Sequence, residues 1–147
     1  VTRARDLTAP YPSLPTDAPA AEVARILAEE EVDVVFIERQ GQLQGVVSDI
    51  GLLARLLPSY VIEDPKLAQV LEEGAADLLW RRLEGRRAGE LLAKAGSEIP
   101  QVEGDATLME VAAIMAGARA PLVAVREGGR LVGGITSSAL LTRLLQA

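Results

Sequence analysis

The stretch "GVVSDIGLL" (Gly45–Leu53) runs out of a β-prone apolar segment into residues spaced for a helix, and "GGITSSALL" (Gly133–Leu141) does the same again. Ser48 stands at the corner of the first copy and Thr136 at that of the second. The likeness extends outward from the corners at a constant offset of 88 residues. "DAPAAEVARILAEEEVDVVFIERQGQLQGVVSDIGLLARLL" (17–57) lies without gaps over "DATLMEVAAIMAGARAPLVAVREGGRLVGGITSSALLTRLL" (105–145), with 16 of 41 positions identical. Many of the rest exchange Val for Ile, Leu for Met or Ser for Thr, which marks a duplication and not chance. Upstream, "RARDL" (3–7) resembles "RAGEL" (87–91) at the shorter offset of 84, so the second copy carries four extra residues before its first helix.

Both copies order their elements alike. Asp17 and Asp105 are expected N-caps, their carboxylates accepting backbone N–H groups. The helices that follow bury Ala20, Val23, Ile26 and Leu27, and Leu108, Val111, Ile114 and Met115, at amphipathic spacing. Buried strands come next in "VVFI" (34–37) and "PLVAV" (121–125). Gly41 and Gly129 then reverse the chain at positive φ. The second hairpin strands, "LQGVVS" and "LVGGIT", lead into "DIGLLARLL" and "SSALLTRLL". With an opening strand at Ser13–Pro15 and at Ile99–Val102, each unit is β-α-β-β-α. Two such units make a mixed α+β fold and exclude a doubly wound nucleotide-binding sheet. Between them, one helix is expected over about 65–83, with Leu67, Val70, Leu71, Leu78 and Leu79 on one side and Trp80 near its end. A helix this apolar must pack on the units or on a second chain.

The 147 residues suit one ordinary domain or two small ones sharing a core, and 49% apolar with 24% charged residues suits a folded chain. No run reaches the roughly 20 apolar residues that span a bilayer. The start, "VTRARDLTAPYP", lacks a signal peptide's apolar core, and the missing initiator Met is expected of a chain trimmed or cut from a longer one. Cys and His are both absent, which removes disulfides, Cys/His zinc sites, Cys nucleophiles and His-based triads. A net charge of −6 argues against nonspecific nucleic-acid or anionic-membrane binding. A cytoplasmic location is expected.

The repeated corner is the best candidate site. A hydroxyl beside a helix N-terminus can bond a ligand, and exposed N–H groups there favour a phosphate; equally, Ser48 and Thr136 can serve only as caps of their own helices. "EGGRLVGG" (127–134) lacks P-loop and dinucleotide-fold spacing and reads as a hairpin turn. "RRLEGRR" (81–87) reads either as an Arg-rich phosphate grip or as a solvated helix end whose cations suit the dipole. The acidic run Glu29–Glu31 and Asp33 read as solvated surface. No pair of carboxylates has the context of an acid–base pair, so an enzyme is not expected.

The element order, the tandem copies and the near-G-h-h-[ST] corner resemble a CBS-domain pair, the regulatory module named after cystathionine β-synthase. The resemblance rests on "RARDL" and "RAGEL", on "TDAPAAEVARIL" and "GDATLMEVAAIM", and on "GQLQGVVSDIGLL" and "GRLVGGITSSALL". It implies one repeat over 3–57, a helical connector over 58–85 and a second repeat over 86–146, as in small stand-alone bacterial CBS proteins. It also implies a pseudo-twofold packing with two clefts, ligands such as AMP, ADP, ATP, S-adenosylmethionine or cyclic dinucleotides, a disc-like homodimer, and a regulated enzyme or transporter. Residue by residue, it assigns ribose or phosphate contact to Ser48 and Thr136, followed by Asp49 and Ile50, and by Ser137 and Ser138. The base would lie against Val34, Val35 and Phe36, or Pro121, Leu122 and Val123, with Ser13 and Gln101 on the opening strands. The Asp that commonly grips the ribose three residues after the corner is replaced here by Gly51 and Ala139. Losing that charge-assisted grip forgoes about 1.5–3 kcal/mol, roughly ten- to a hundredfold in affinity. Two readings follow: a ligand-sensing regulatory module, or a dimerising or partner-binding scaffold with empty clefts.

Overall fold

A computed structural model describes residues 1–71, 75–92 and 98–146. The first copy runs through helix α1 (Ala4–Leu7), strand β1 (Ser13–Pro15), helix α2 (Ala20–Glu29), strands β2 (Val34–Arg39) and β3 (Gln42–Ser48), and helix α3 (Asp49–Leu56). The connector holds helix α4 (Ser59–Glu63), a 3₁₀ segment (Pro65–Leu71) and helix α5 (Ala75–Leu83). The second copy opens with a 3₁₀ turn (Ala88–Leu91) and continues through β4 (Gln101–Glu103), α6 (Leu108–Ala118), β5 (Leu122–Glu127), β6 (Arg130–Thr136) and α7 (Ser137–Leu145). The expected mixed α+β fold of two β-α-β-β-α repeats with a helical connector is the fold observed. The opening strand of the second copy lies at Gln101–Glu103, two residues later than expected at its start, because Gln101 is the first residue in register with β5.

Two compact units result. The first unit comprises Pro12–Glu38 and Gln44–Ser97; the second comprises Val1–Tyr11, Arg39–Leu43 and Glu98–Ala147. Each holds one three-stranded sheet, ordered β1-β2-β3 or β4-β5-β6, in which the opening strand pairs parallel to the next. Alternating apolar residues of β2, β5 and their neighbours fill one buried cluster per unit: Val23, Val35, Ile37 and Val47 in the first, Val111, Val123, Val125 and Ile135 in the second. The hairpins turn at Gly41 (φ 78°) and Gly129 (φ 77°), as their lack of a side chain allows.

The lead-ins explain the change of offset. "RARDL" of the first copy packs in the second unit, where Ala4 N donates to the Ala106 carbonyl (2.9 Å) and Arg5 N to that of Gly104 (2.9 Å). "RAGEL" of the second copy packs in the first unit, where Ala88 N donates to Ala18 (2.7 Å) and Gly89 N to Thr16 (2.9 Å). The guanidiniums repeat the exchange: Arg3 reaches the Asp105 carbonyl (3.2 Å) and Arg87 that of Asp17 (3.1 Å). Each lead-in closes on itself through an acid three residues on, Asp6 on Arg3 N (2.8 Å) and Glu90 on Arg87 N (2.6 Å). Asp17 and Asp105 are therefore not N-caps. Their carbonyls are acceptors in the turn before the helix, and each helix starts three residues later. The caps are Pro19, which offers no side-chain bond, and Thr107, whose hydroxyl accepts from Glu110 N. At α2 the first helical N–H is satisfied from just beyond the connector, where Ala20 N donates to the Arg86 carbonyl (2.9 Å).

The connector differs from the single helix expected. Pro65–Leu71 is 3₁₀ and α5 is a separate α-helix; residues 72–74 and the side chains of Val70 and Leu71 lie outside the described residues. Leu67 and Leu78 are exposed and Leu79 half-buried, whereas Leu83, 4% exposed, anchors α5 in the first unit's cluster against α2 and α3. That cluster also covers Ile26 (6% exposed), while its repeat counterpart Ile114 is 39% exposed and not on the buried face. On the outer face of α2, Arg25 bonds Glu22 and Glu29, neutralising part of the acidic run and holding the Glu22 carboxyl below its ordinary range.

Candidate functional site

The two corners are built the same way. Strand β5 runs antiparallel to β6 with Leu122 opposite Thr136 and Val123 opposite Ile135, and Ser137 N donates to the Pro121 carbonyl (2.9 Å). In the first unit the matching bond runs from Asp49 N to the Asp33 carbonyl (3.0 Å). A hydroxyl residue in extended conformation then starts each helix: Ser48 (φ −92°, ψ 163°) and Thr136 (φ −85°, ψ 154°). Ser48 Oγ accepts from Gly51 N (2.9 Å) and Thr136 Oγ1 from Ala139 N (3.1 Å). Both hydroxyls thus cap their own helices. A hydroxyl that accepts one N–H still keeps its proton and a second lone pair for something else.

The corners differ in charge. In the first, Asp49 Oδ1 accepts from Ile50 N (2.7 Å), so a carboxylate of the chain already sits where an anion would approach the start of α3. In the second, Ser137 and Ser138 are exposed, and Ser138 Oγ lies 3.3 Å from Thr136 Oγ1, which makes a patch of three hydroxyls at the start of α7. Two grooves flank α7. One, about 580 Å³, is almost wholly apolar and is lined by Met115, Leu140, Leu141, Pro121, Ser137 and Arg119. The other, about 490 Å³ and more polar, is lined by Ser138, Thr142, Arg143, Asp6 and Leu7. Arg143 is held there by a bond to Thr2 Oγ1 (3.0 Å).

The remaining sequence-assigned residues fall into two groups. Pro121 is exposed beside Ser137, and Gln101 is exposed at the start of β4, opposite Ala124. In the first unit Ser13 is exposed opposite Phe36, and Val34 is half-buried. Val35 and Val123, both 0% exposed, and Leu122 at 7% have their side chains in the interior, so a ligand could meet them only through the backbone. Gly51 and Ala139, where an acid would grip a ribose, are the residues that give their N–H to the corner hydroxyl. A Cβ on Gly51 would lie 3.0 Å from Ser48 Oγ. Thr107 went unassigned, although Thr107 and Glu110 form the S/T-x-x-E pattern of a helix start.

Among the described residues, no cluster of three or more acidic groups is placed to hold a metal ion, and no helix is long and apolar enough to cross a membrane. The CBS-domain family model matches residues 4–58 and 89–146. A CBS domain-containing protein of unknown function from Kribbella flavida is 34% identical, with 99% of each chain covered and a TM-score of 0.89. CBSX2, a CBS-pair protein of Arabidopsis thaliana, in a structure with AMP, is 18% identical over 99% of this chain and 98% of that one, TM-score 0.66. The cytosolic domain of the Mg2+ channel MgtE, in a structure with ATP, is 22% identical over 97% of this chain and 48% of that one, TM-score 0.66. Comparison with curated proteins found no match. With matched segments covering both copies, and a relative alike over nearly its whole length, this chain belongs to the CBS-domain family as a tandem pair.

Proposed function

We propose that the chain is a non-catalytic regulatory module of the cytoplasm. In this reading it binds a phosphate-bearing adenosine derivative at the Thr136–Ser137–Ser138 corner and passes its occupancy on through a homodimer to an enzyme or transporter. CBS-domain proteins in general act as ligand-sensing regulatory modules, and the relatives solved with AMP and ATP lend the ligand class. The observation that carries the reading is the difference between the two corners. One helix start is filled by Asp49, while the other offers the hydroxyls of Thr136, Ser137 and Ser138 and has no acidic residue in its first turn. Binding is therefore assigned to the second corner, with Ser48, Asp49, Ser13, Val34 and Val35 as the weaker, first one.

The test is thermal unfolding with AMP, ADP, ATP, S-adenosylmethionine and cyclic dinucleotides, on wild type and on Ser138→Ala, which keeps the Thr136 cap. At a hundred times its Kd a ligand stabilises by about 2.7 kcal/mol, roughly 5–10 °C for a chain of this size. The expected result is such a rise, diminished by Ser138→Ala. No rise at millimolar concentration favours the scaffold reading, which the loss of an acid at Gly51 and Ala139 supports and which retains the homodimer.

A further inference from the structure

We infer that the connector and α3 build a second binding site, for a phosphoryl-sized oxyanion, apart from the corners. Three arginines from two distant parts of the sequence, Arg55, Arg82 and Arg86, line one small pocket in the first unit. Leu56, Leu83 and Leu91 complete it, and no acidic side chain takes part. Its volume is about 80 Å³, several times the roughly 10–15 Å³ that a cavity needs to hold one water, which leaves room for a small oxyanion. Leu83 and Leu91 are each 4% exposed and give the pocket an apolar floor, while Arg55 and Arg86 are exposed and Arg82 half-buried at its rim. Among the described residues none of the three arginines is in an ion pair, in a chain whose net charge is −6.

The backbone holds the arginines in place. Arg55 donates to the Glu90 carbonyl from the last turn of α3, and Arg82 stands in the last turn of α5. The Arg86 carbonyl is pinned by Ala20 N (2.9 Å) and its N–H by Leu83 (3.1 Å). The nearby Glu90 carboxylate is turned to Arg87 N. Compensation of helix dipoles accounts for part of this charge, since each C-terminus carries about half a negative charge. It does not account for Arg86, which lies beyond the end of α5. Three arginines around one pocket suit a phosphate oxyanion, which accepts several charge-assisted bonds at once.

The test is titration with inorganic phosphate at constant ionic strength, by calorimetry and by thermal unfolding. It compares wild type, Arg82→Gln/Arg86→Gln, and Arg81→Gln as a control on the same helix outside the pocket. One site is expected in wild type, weakened by about tenfold or more in the double variant and unchanged in Arg81→Gln and in Ser138→Ala. Displacement of phosphate by AMP but not by adenosine would identify a phosphomonoester as a source; no displacement by either would leave the free ion. Equal responses of wild type and the double variant, or equal losses in Arg81→Gln, would overturn the site. If the double variant fails to fold, the exposed Arg86→Gln alone carries the comparison. Because Ser138→Ala leaves this site intact, its failure and that of the corner reading are separable.

Discussion

Single residues decide where this chain can be changed. Gly133 of β6 lies under the N-terminal segment: Ala9 and Gly134 exchange backbone bonds of 2.9 and 3.0 Å, and a Cβ on Gly133 would stand 2.2 Å from the Ala9 carbonyl oxygen. Backbone cannot yield as a side-chain tip does, so Gly133→Ala should cost about 1–3 kcal/mol by overpacking. Gly117 of α6 meets nothing within 4 Å, and Gly117→Ala should instead stabilise by about 0.5–1 kcal/mol through helix propensity. Urea unfolding of the two variants should thus give changes of opposite sign; a common sign would refute the packing of Thr8–Tyr11 over β6. The glycines also show what a sequence reveals at this scale. The turn glycines Gly41 and Gly129 were legible because a hairpin needs positive φ there. Gly133 reads in the sequence only as one more glycine of the strand "LVGGIT", since its need comes from a segment more than a hundred residues away. Asp17 and Asp105 were misread for a related reason: their position before a helix suggests a cap, but the exchanged lead-ins recruit their carbonyls.

At the scale of elements, duplication made most of the fold readable, because each hairpin and its following helix appear twice with the same period. The connector appears once, and its reading failed where it had no second copy to check against. Apolar spacing alone did not separate the 3₁₀ stretch Pro65–Leu71 from an α-helix, nor pick Leu83 over Leu78 as the buried anchor. Leu83 also carries a prediction. It ties α5 to α2 and α3, so Leu83→Ala should cost about 2–5 kcal/mol. Trp80, the only tryptophan and 52% exposed, sits on the same helix and reports on it directly. In Leu83→Ala the fluorescence of Trp80 should change at lower denaturant than far-ultraviolet circular dichroism, as the connector detaches before the units melt. Coincident curves would mean that α5 unfolds only with the first unit.

For the whole molecule, the internal repeat allows the equivalent faces of the two units to be compared position by position. Leu53 and Leu141 are both exposed, at 51% and 58%, at matching places in α3 and α7, so each unit presents apolar surface there. The charges around them differ. Where the second unit has Arg119, Pro121 and Ser137 along its apolar groove, the first has Glu31, Asp33 and Asp49. Two copies meeting through their first units would set acids against acids, while the first unit of one copy against the second of another sets Arg119 against those acids. The proposed homodimer should therefore use the unlike pair, because complementary charge fixes register and rejects the wrong orientation. None of this was legible in composition, since the surface that meets a partner is about as apolar as the surface that meets water. Sedimentation equilibrium over a range of concentrations is the check. Arg119→Glu should weaken self-association by about tenfold or more, and Glu31→Arg in that background should restore part of it. Leu141→Asp should abolish association altogether, by placing an unpaired charge in an apolar contact. A wild type that stays monomeric throughout would remove the homodimer from the proposed function. A dimer indifferent to Arg119→Glu would place its contact on another face.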